Sequence, residues 1–248
     1  MPSQRLIARL EATIGLSEQD RSQLNSMQHT LKTLANGEYV LHEGQRSCQC
    51  AIVVSGFLFR QKLVGTRNQI VSIYVPGDMP DVSTLHLPLS DHDLLSAGQS
   101  TIALVSHSYL NKLLINSPAL THALWRDTLV DAAIYREWVA NVGSRDALSR
   151  VAHLFCEIAT RLEVVGLLED DQFAFPFTQA NLADATGLSV VHLNRTIQHL
   201  RRGKLIEWKG QNVKLLRRKE LVEIADFMPE YLHLSDGDRR GRANNDGS

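Results

Sequence analysis

The sequence predicts an α+β chain in three parts. An antiparallel β-roll (a jelly-roll-like sandwich) fills residues 1–116, a long helix 117–143 and a winged helix-turn-helix 144–234, ahead of a tail at 235–248. Three observations carry this reading. Between residues 30 and 106, short apolar runs are punctuated by Gly37, Gly44, Gly56, Gly65 and Gly77, as strands and their turns require. Residues 117–142 carry apolar stripes at helical spacing. Residues 178–215 set two short helical segments about Gly187, ahead of a stretch in which apolar and polar residues alternate.

Composition agrees with an ordinary globular chain. It has 248 residues, 44% of them hydrophobic, with 26 Lys and Arg against 27 Asp and Glu. That length suits two domains, and the charge balance argues against a disordered or fibrous protein. No apolar run reaches the ~20 residues that span a bilayer, so no membrane partner is expected. The opening residues lack the apolar core of a signal peptide. Cys48, Cys50 and Cys156 are too few for a disulfide framework and suit a reducing compartment, so the expected location is cytoplasmic. The tail is rich in Asp, Arg, Gly and Asn and is expected to be disordered.

In chain order, residues 4–28 read as helical, with Ser17 capping a second short helix through Glu18 and Asp20. Strands are expected at 30–34, 39–42, 51–54, 57–62, 70–74 and 102–106. Ser117-Pro118 starts the long helix. One of its stripes runs Thr121, Leu124, Thr128, Asp131, Tyr135, Trp138, Val142; another runs Trp125, Leu129, Ala132, Arg136, Val139. Two stripes imply two covered faces, one on the chain itself and one on a second copy, unless they form a single broad core face. Leu124, Thr128, Asp131, Tyr135, Trp138 and Val142 are taken as the dimer face. Gly143-Ser144 marks a hinge, followed by a helix at 147–162 and a short strand at 173–177.

The chemistry lies in residues 178–219, where nine basic residues face two acidic ones. Such a local surplus is the footprint of a nucleic-acid-binding face, although a solvated helix face gives the same count. Thr178 suits a helix N-cap, with Leu182 and Ala185 on the apolar side and Ala183 small enough for close approach. Gly187 stands where a tight turn wants positive φ, Leu188 fills the space between helices, and Ser189 caps the next helix. Leu193, Ile197 and Leu200 point inward. Val190, Val191, His192, Asn194, Arg195 and Gln198 occupy the other faces. This is a helix-turn-helix, whose second helix enters the DNA major groove by its N-terminal residues. Residues 201–216 then read as a β-hairpin wing about Lys209-Gly210-Gln211-Asn212, with Lys209 and Lys214 set for phosphates. Thr178, Gln179 and Ser189 complete the expected DNA contacts.

In this order, roll, long helix, helix-turn-helix and wing resemble the family of bacterial transcription regulators that includes the cyclic-AMP receptor protein and FNR. The resemblance rests on GEYVLHEG at 37–44, VVSGFL at 53–58, VPGD at 75–78, residues 178–200 and GKLI at 203–206, and it covers roughly residues 5–230. It implies a cyclic-nucleotide-binding-like roll, a homodimer joined along the long helix, and a two-fold symmetric DNA site. Implied partners are double-stranded DNA, a second copy of the chain and RNA polymerase.

The sequence departs from the family in its sensing residues. Where nucleotide-binding members carry Gly-Glu and Arg-Ser, this chain has Asp81-Val82 and Ser90-Asp91. Residues 78–99 hold no Arg or Lys but include Asp81, Asp91 and Asp93. A carboxylate repels a cyclic phosphate, so no cyclic-nucleotide binding is expected. Residues 1–47 contain no cysteine, which excludes an N-terminal iron–sulfur cluster of the redox-sensing type. Cys48 and Cys50 read as small apolar side chains on one face of a strand, with a redox-sensing thiol as the alternative. Pro2 with His42, His86 or His92 imitates the haem-sensing pattern only superficially. No metal and no cofactor is expected. Val191 replaces the glutamate with which some members read cytosine, so the half-site should differ from theirs. The chain is read as a regulator and not an enzyme, since no nucleophile–base pair or phosphate loop stands out. Alternatives are a regulator sensing another small molecule or a redox signal in the roll, and a ligand-sensing or scaffold protein that does not bind DNA.

Overall fold

A computed structural model describes residues 2–235. The expected disordered tail lies outside the described residues, apart from Ser235. Two helices open the chain, α1 (Pro2–Glu11) and α2 (Glu18–Asn25). The Ser17 side chain accepts from the Asp20 amide, and the Asp20 carboxylate accepts in return from the Ser17 amide, a reciprocal cap that starts α2.

The roll follows as β1 (Thr30–Leu34), β2 (Tyr39–Leu41), β3 (Gln49–Val64), β4 (Arg67–Tyr74) and β5 (Asp93–Ser106). Its antiparallel sheet runs β1-β5-β3-β4, with β2 also on β5. Two expected strands, 51–54 and 57–62, are one 16-residue strand bent by a bulge at Gly56. Gly56 has φ +77, and a Cβ there would stand 2.6 Å from the Gln99 carbonyl oxygen, so only glycine fits. The expected strand 102–106 begins nine residues earlier, at Asp93. Leu94, Leu95, Ser96 and Ala97 are all buried, so this part shows no alternation to read. Side chains of Leu34, Leu41, Ala51, Val53, Leu58, Tyr74, Leu94 and Ile102 fill the interior of the roll.

Helix α3 (His107–Asn116), unanticipated from the sequence, joins the roll to α4 (Pro118–Ser144). Ser117 caps α4 through the Leu120 amide. The break falls one residue later than expected: α4 runs through Gly143-Ser144, and Asp146 caps α5 (Ala147–Val164) by accepting from the Ser149 amide. The C-terminal unit adds β6 (Gln172–Ala174), α6 (Gln179–Thr186), α7 (Val190–Arg202), β7 (Ile206–Lys209), β8 (Asn212–Leu215) and α8 (Arg218–Ala225), then a 3-10 turn at Pro229–Leu232. The expected strand at 173–177 shortens to β6. Neither α8, which lacks a side-chain cap, nor the final turn was legible beforehand.

Roll and C-terminal unit share one core. Phe57, Phe59, Ile70 and Ile73 on the outside of the sheet pack with Phe175, Phe177 and Leu182. Gly98, at φ +69, would place a Cβ 2.6 Å from the Pro176 ring, which shows how closely the two halves approach. Residues 151–162 of α5 are buried all round, Glu157 and Arg161 included. The chain closes on itself where the Ser235 amide donates to the Ala12 carbonyl at 2.6 Å.

Most of the α4 stripe expected to form the dimer face turns inward, while Thr128 stays exposed. Leu124 and Trp138 are buried in the chain's own core. Asp131 pairs with Arg9 at 3.2 Å, and the Tyr135 hydroxyl lies 2.7 Å from that of Tyr74. Val142 stands 3.2 Å from the position of a Cβ on Gly187, and Thr128 bonds its own helix, donating to the Leu124 carbonyl. Trp125, Leu129 and Val139, by contrast, are 62%, 55% and 74% exposed. The stripe carrying Asp131 and Tyr135 turns inward because α1 and the roll supply polar partners for both.

Candidate nucleic-acid interface

The helix-turn-helix forms at its own local signals. Thr178 accepts from the Asn181 amide at 3.1 Å while the Asn181 side chain accepts from the Thr178 amide at 3.0 Å. Gly187 takes φ +65 and ends α6; the Leu188 amide then donates to the Ala183 carbonyl. Ser189 accepts from the His192 amide at 3.2 Å and so starts α7. Arg150 from α5 donates to the Thr186 carbonyl at 2.8 Å, fixing the end of α6. This tie was invisible in the sequence because it crosses 36 residues.

Helix α7 buries Leu193, Thr196, Ile197 and Leu200 and exposes Val190, Val191, His192, Arg195 and Gln198; Asn194 is half-buried. Arg195 makes no ion pair or side-chain hydrogen bond among the described residues, leaving its guanidinium free for a ligand. Thr178, Gln179 and Ser189 are exposed at the two helix starts, where amide dipoles favour an anion. The structure therefore presents every DNA-contact residue expected on the two helices, with Asn194 the least accessible. Arg201 and Arg202, exposed in the last turn of α7, extend the basic surface beyond those residues.

In the wing, β7 pairs with β8 in the register Glu207 to Lys214 and Lys209 to Asn212, about a Gly210 turn at φ +58. Trp208 anchors it, with its ring 5.8 Å from that of Phe175 and its indole NH on the Gly210 carbonyl. Lys209 pairs with Glu207 at 2.6 Å, an exposed bridge worth little and easily exchanged for a phosphate. Lys214 is half-buried. Arg218 departs from the expected basic surface: it clamps Glu163 at 2.7 Å and Asp171 at 3.0 Å, and so holds α8 to α5.

The sensing positions of the roll are occupied by structural contacts. Asp81 is buried and accepts from the Ala51 amide at 2.8 Å; burial pushes its carboxyl up to about 7. Although residues 78–99 carry no cation, Arg60 reaches under them from β3. Its guanidinium binds the Pro80 carbonyl and the Tyr135 hydroxyl and lies 5.3 Å from the ring centre of Tyr74. Cys48 and Cys50 do not share a strand face: Cys48 is exposed ahead of β3, while Cys50 is buried and its thiol is pushed up by burial. That makes Cys50 a poor nucleophile or redox sensor. Among the described residues no group of three or more His, Cys, Asp or Glu side chains is arranged for a metal ion, and no helix is long and apolar enough to cross a membrane.

Comparison with known proteins agrees with this geometry. A Crp-like helix-turn-helix domain matches residues 149–224. The transcriptional activator protein FnrL of Cereibacter sphaeroides is 24% identical over 208 residues, 81% of this chain and 80% of that protein. A probable transcriptional activator of Rhizobium leguminosarum bv. viciae is 26% identical over 192 residues, 75% of this chain and 77% of that one. Among solved structures, FixK2 from Bradyrhizobium japonicum superposes with a TM-score of 0.73 at 21% identity, covering 80% of this chain and 98% of that one. Residues 149–224 thus match a Crp-like helix-turn-helix domain, and over three quarters or more of its length the chain is similar to transcriptional activators of the FNR type, in line with a DNA-binding transcription regulator.

Proposed function

We propose that this DNA-binding transcription regulator acts as a homodimer on a two-fold symmetric site and needs no cyclic nucleotide in its roll. The exposed start of α7 carries the reading. Val190 and Val191 suit thymine methyl groups, and Arg195 suits the O6 and N7 atoms of guanine. His192, Asn194 and Gln198 add polar contacts, while Thr178, Gln179, Ser189, Lys209 and Lys214 hold the phosphate backbone. RNA polymerase is the partner through which such a regulator acts.

Nucleotide independence is supported by the side chains that fill the roll and by Asp81-Val82, which put a buried carboxyl and an apolar side chain where nucleotide-binding members carry Gly-Glu. The dimer is supported by the outward stripe of α4. Trp125, Leu129, Ala132, Arg136 and Val139 repeat at four and three residues, the spacing of a coiled-coil seam. A second copy covers them with the two recognition helices at the same end.

Selection of random duplex DNA on the purified protein, with no ligand added, tests this directly. A palindrome with half-sites about one helical turn apart is the expected result; no enrichment from a clean dimer would overturn effector-free binding. Arg195→Ala should weaken the selected duplex by about 1–3 kcal/mol while sparing random DNA. An equal loss on both would make Arg195 a phosphate contact instead. Val139→Glu should yield a monomer by light scattering, because it sets two carboxylates against each other in an apolar seam. A dimer that survived it would place the interface elsewhere.

A further inference from the structure

At the junction of the roll, α1, α4 and α5 lies a charge cluster that DNA binding does not use. Arg9 of α1 sits 3.0 Å from both Asp78 and Asp127 and 3.2 Å from Asp131. On the far side of Asp78, Arg161 of α5 pairs with it at 2.6 Å and with Glu157 at 3.2 Å. Glu157 also accepts from the Trp138 indole at 3.0 Å and the Tyr231 hydroxyl at 2.8 Å. No member of this network except Asp131 and Tyr231 exceeds about a tenth exposure.

Two features make the cluster more than a buried salt bridge. First, it is a buried ionic connection between the halves of the molecule: Asp78 belongs to the turn after β4, while Arg161 and Glu157 belong to the helix that carries the helix-turn-helix. Second, it is over-supplied with acid. Four carboxylates, Asp78, Asp127, Asp131 and Glu157, face two guanidinium groups. The third cation nearby, Arg60, acts on Asp131 from among Tyr74 and Tyr135. One negative charge remains even when Arg60 is counted in full. An excess buried charge is relieved by taking up a proton.

We infer that Arg9, Asp78 and Arg161 are positioning residues that hold the DNA-binding unit on the roll, and that their hold weakens when the Asp127–Asp131 pair gives up its proton. The inference rests on the DNA-binding reading for its consequence but not for its mechanism. Burial and the neighbouring Asp127 push the Asp131 carboxyl up to about 7, and Asp127 is raised as well, chiefly by burial. A carboxyl whose folded pKa lies above its unfolded value near 3.8 stabilises fully at acid pH. Its contribution falls as pH rises from about 4 to 7 and stays level beyond. For one proton the docked-to-undocked ratio drops about tenfold per pH unit within that range. Burial holds His92 and His153 below their usual range, so both act in the opposite direction over much of this span. The readout is therefore the difference between wild type and variant.

Asp131→Asn and Asp127→Asn should each be compared with wild type by thermal melting and by hydrogen exchange of α1 and α5, from pH 5 to 8. At least one variant is expected to gain melting temperature over wild type as pH rises to 7, with the gap constant above that. The same variant should slow exchange in α1 and α5 relative to β3 at pH 7. Two variants that keep the wild-type pH slope would overturn the inference; if neither folds, wild-type exchange in α1 and α5 that does not quicken against β3 between pH 5 and 7 overturns it equally. Affinity for the duplex from the random-DNA selection should follow the same difference curve. Failure to bind any duplex at any pH would strike the DNA-binding reading and leave the melting and exchange tests standing.

Discussion

Phe175→Ala is expected to lower stability by about 3–5 kcal/mol, a fall of roughly 6–20 °C in melting temperature for a chain of this size. The Phe175 ring is fully buried, 5.6 Å from Phe155, 4.7 Å from Phe177, 6.3 Å from Phe57 and 5.8 Å from Trp208. These partners come from α5, the segment before α6, the roll and the wing, so none of them can close the gap without moving an element. Edge-to-face geometry adds to the loss of buried area. Differential scanning calorimetry is the direct check. A shift below about 3 °C would mean that the roll does not lean on this ring.

Arg161→Met should cost about 3–5 kcal/mol for a different reason. Methionine matches much of the volume but leaves Glu157 buried without its cation and Asp78 with one of its two. Asp78 would keep Arg9 at 3.0 Å and the Val75 amide, whereas Glu157 would keep only Trp138 and Tyr231. Adding Glu157→Leu to Arg161→Met should recover part of the loss in urea denaturation, because it removes the stranded charge. A double variant no more stable than the single one would show that packing, and not charge, makes the position sensitive.

Local signals made much of this fold legible. Ser17 with Asp20, Thr178 with Asn181, and Ser189 ahead of His192 are caps complete within four residues. Gly187 and the Lys209–Asn212 turn are equally short-range, which is why the helix-turn-helix and wing were placed closely. The inward and outward stripes of α4 were not separable: Asp131 and Tyr135 look like surface residues until Arg9 and Tyr74 arrive from more than 60 positions away. Trp125, Leu129 and Val139 look like core for the opposite reason, since a single chain leaves them bare. Arg218 carried the charge of a phosphate contact, and only the fold reveals that Glu163 and Asp171 already hold it. In the roll, the start of β5 is covered on both sides and so lacks the alternation that announces a strand.

The shared core sets a timetable for synthesis. The sheet bearing Phe57, Phe59, Ile70 and Ile73 is complete in sequence at Ser106, about 70 residues before Phe175 and Phe177 exist to cover it. At ~5–20 residues per second, that gap lasts about 4–14 s on the ribosome. Through that interval the nascent chain displays two phenylalanines and two isoleucines on an antiparallel sheet, a sticky surface of the kind that holding chaperones shield. The roll is thus an unfinished object until its DNA-binding half has been translated, and truncated chains ending within α5 should be prone to aggregate.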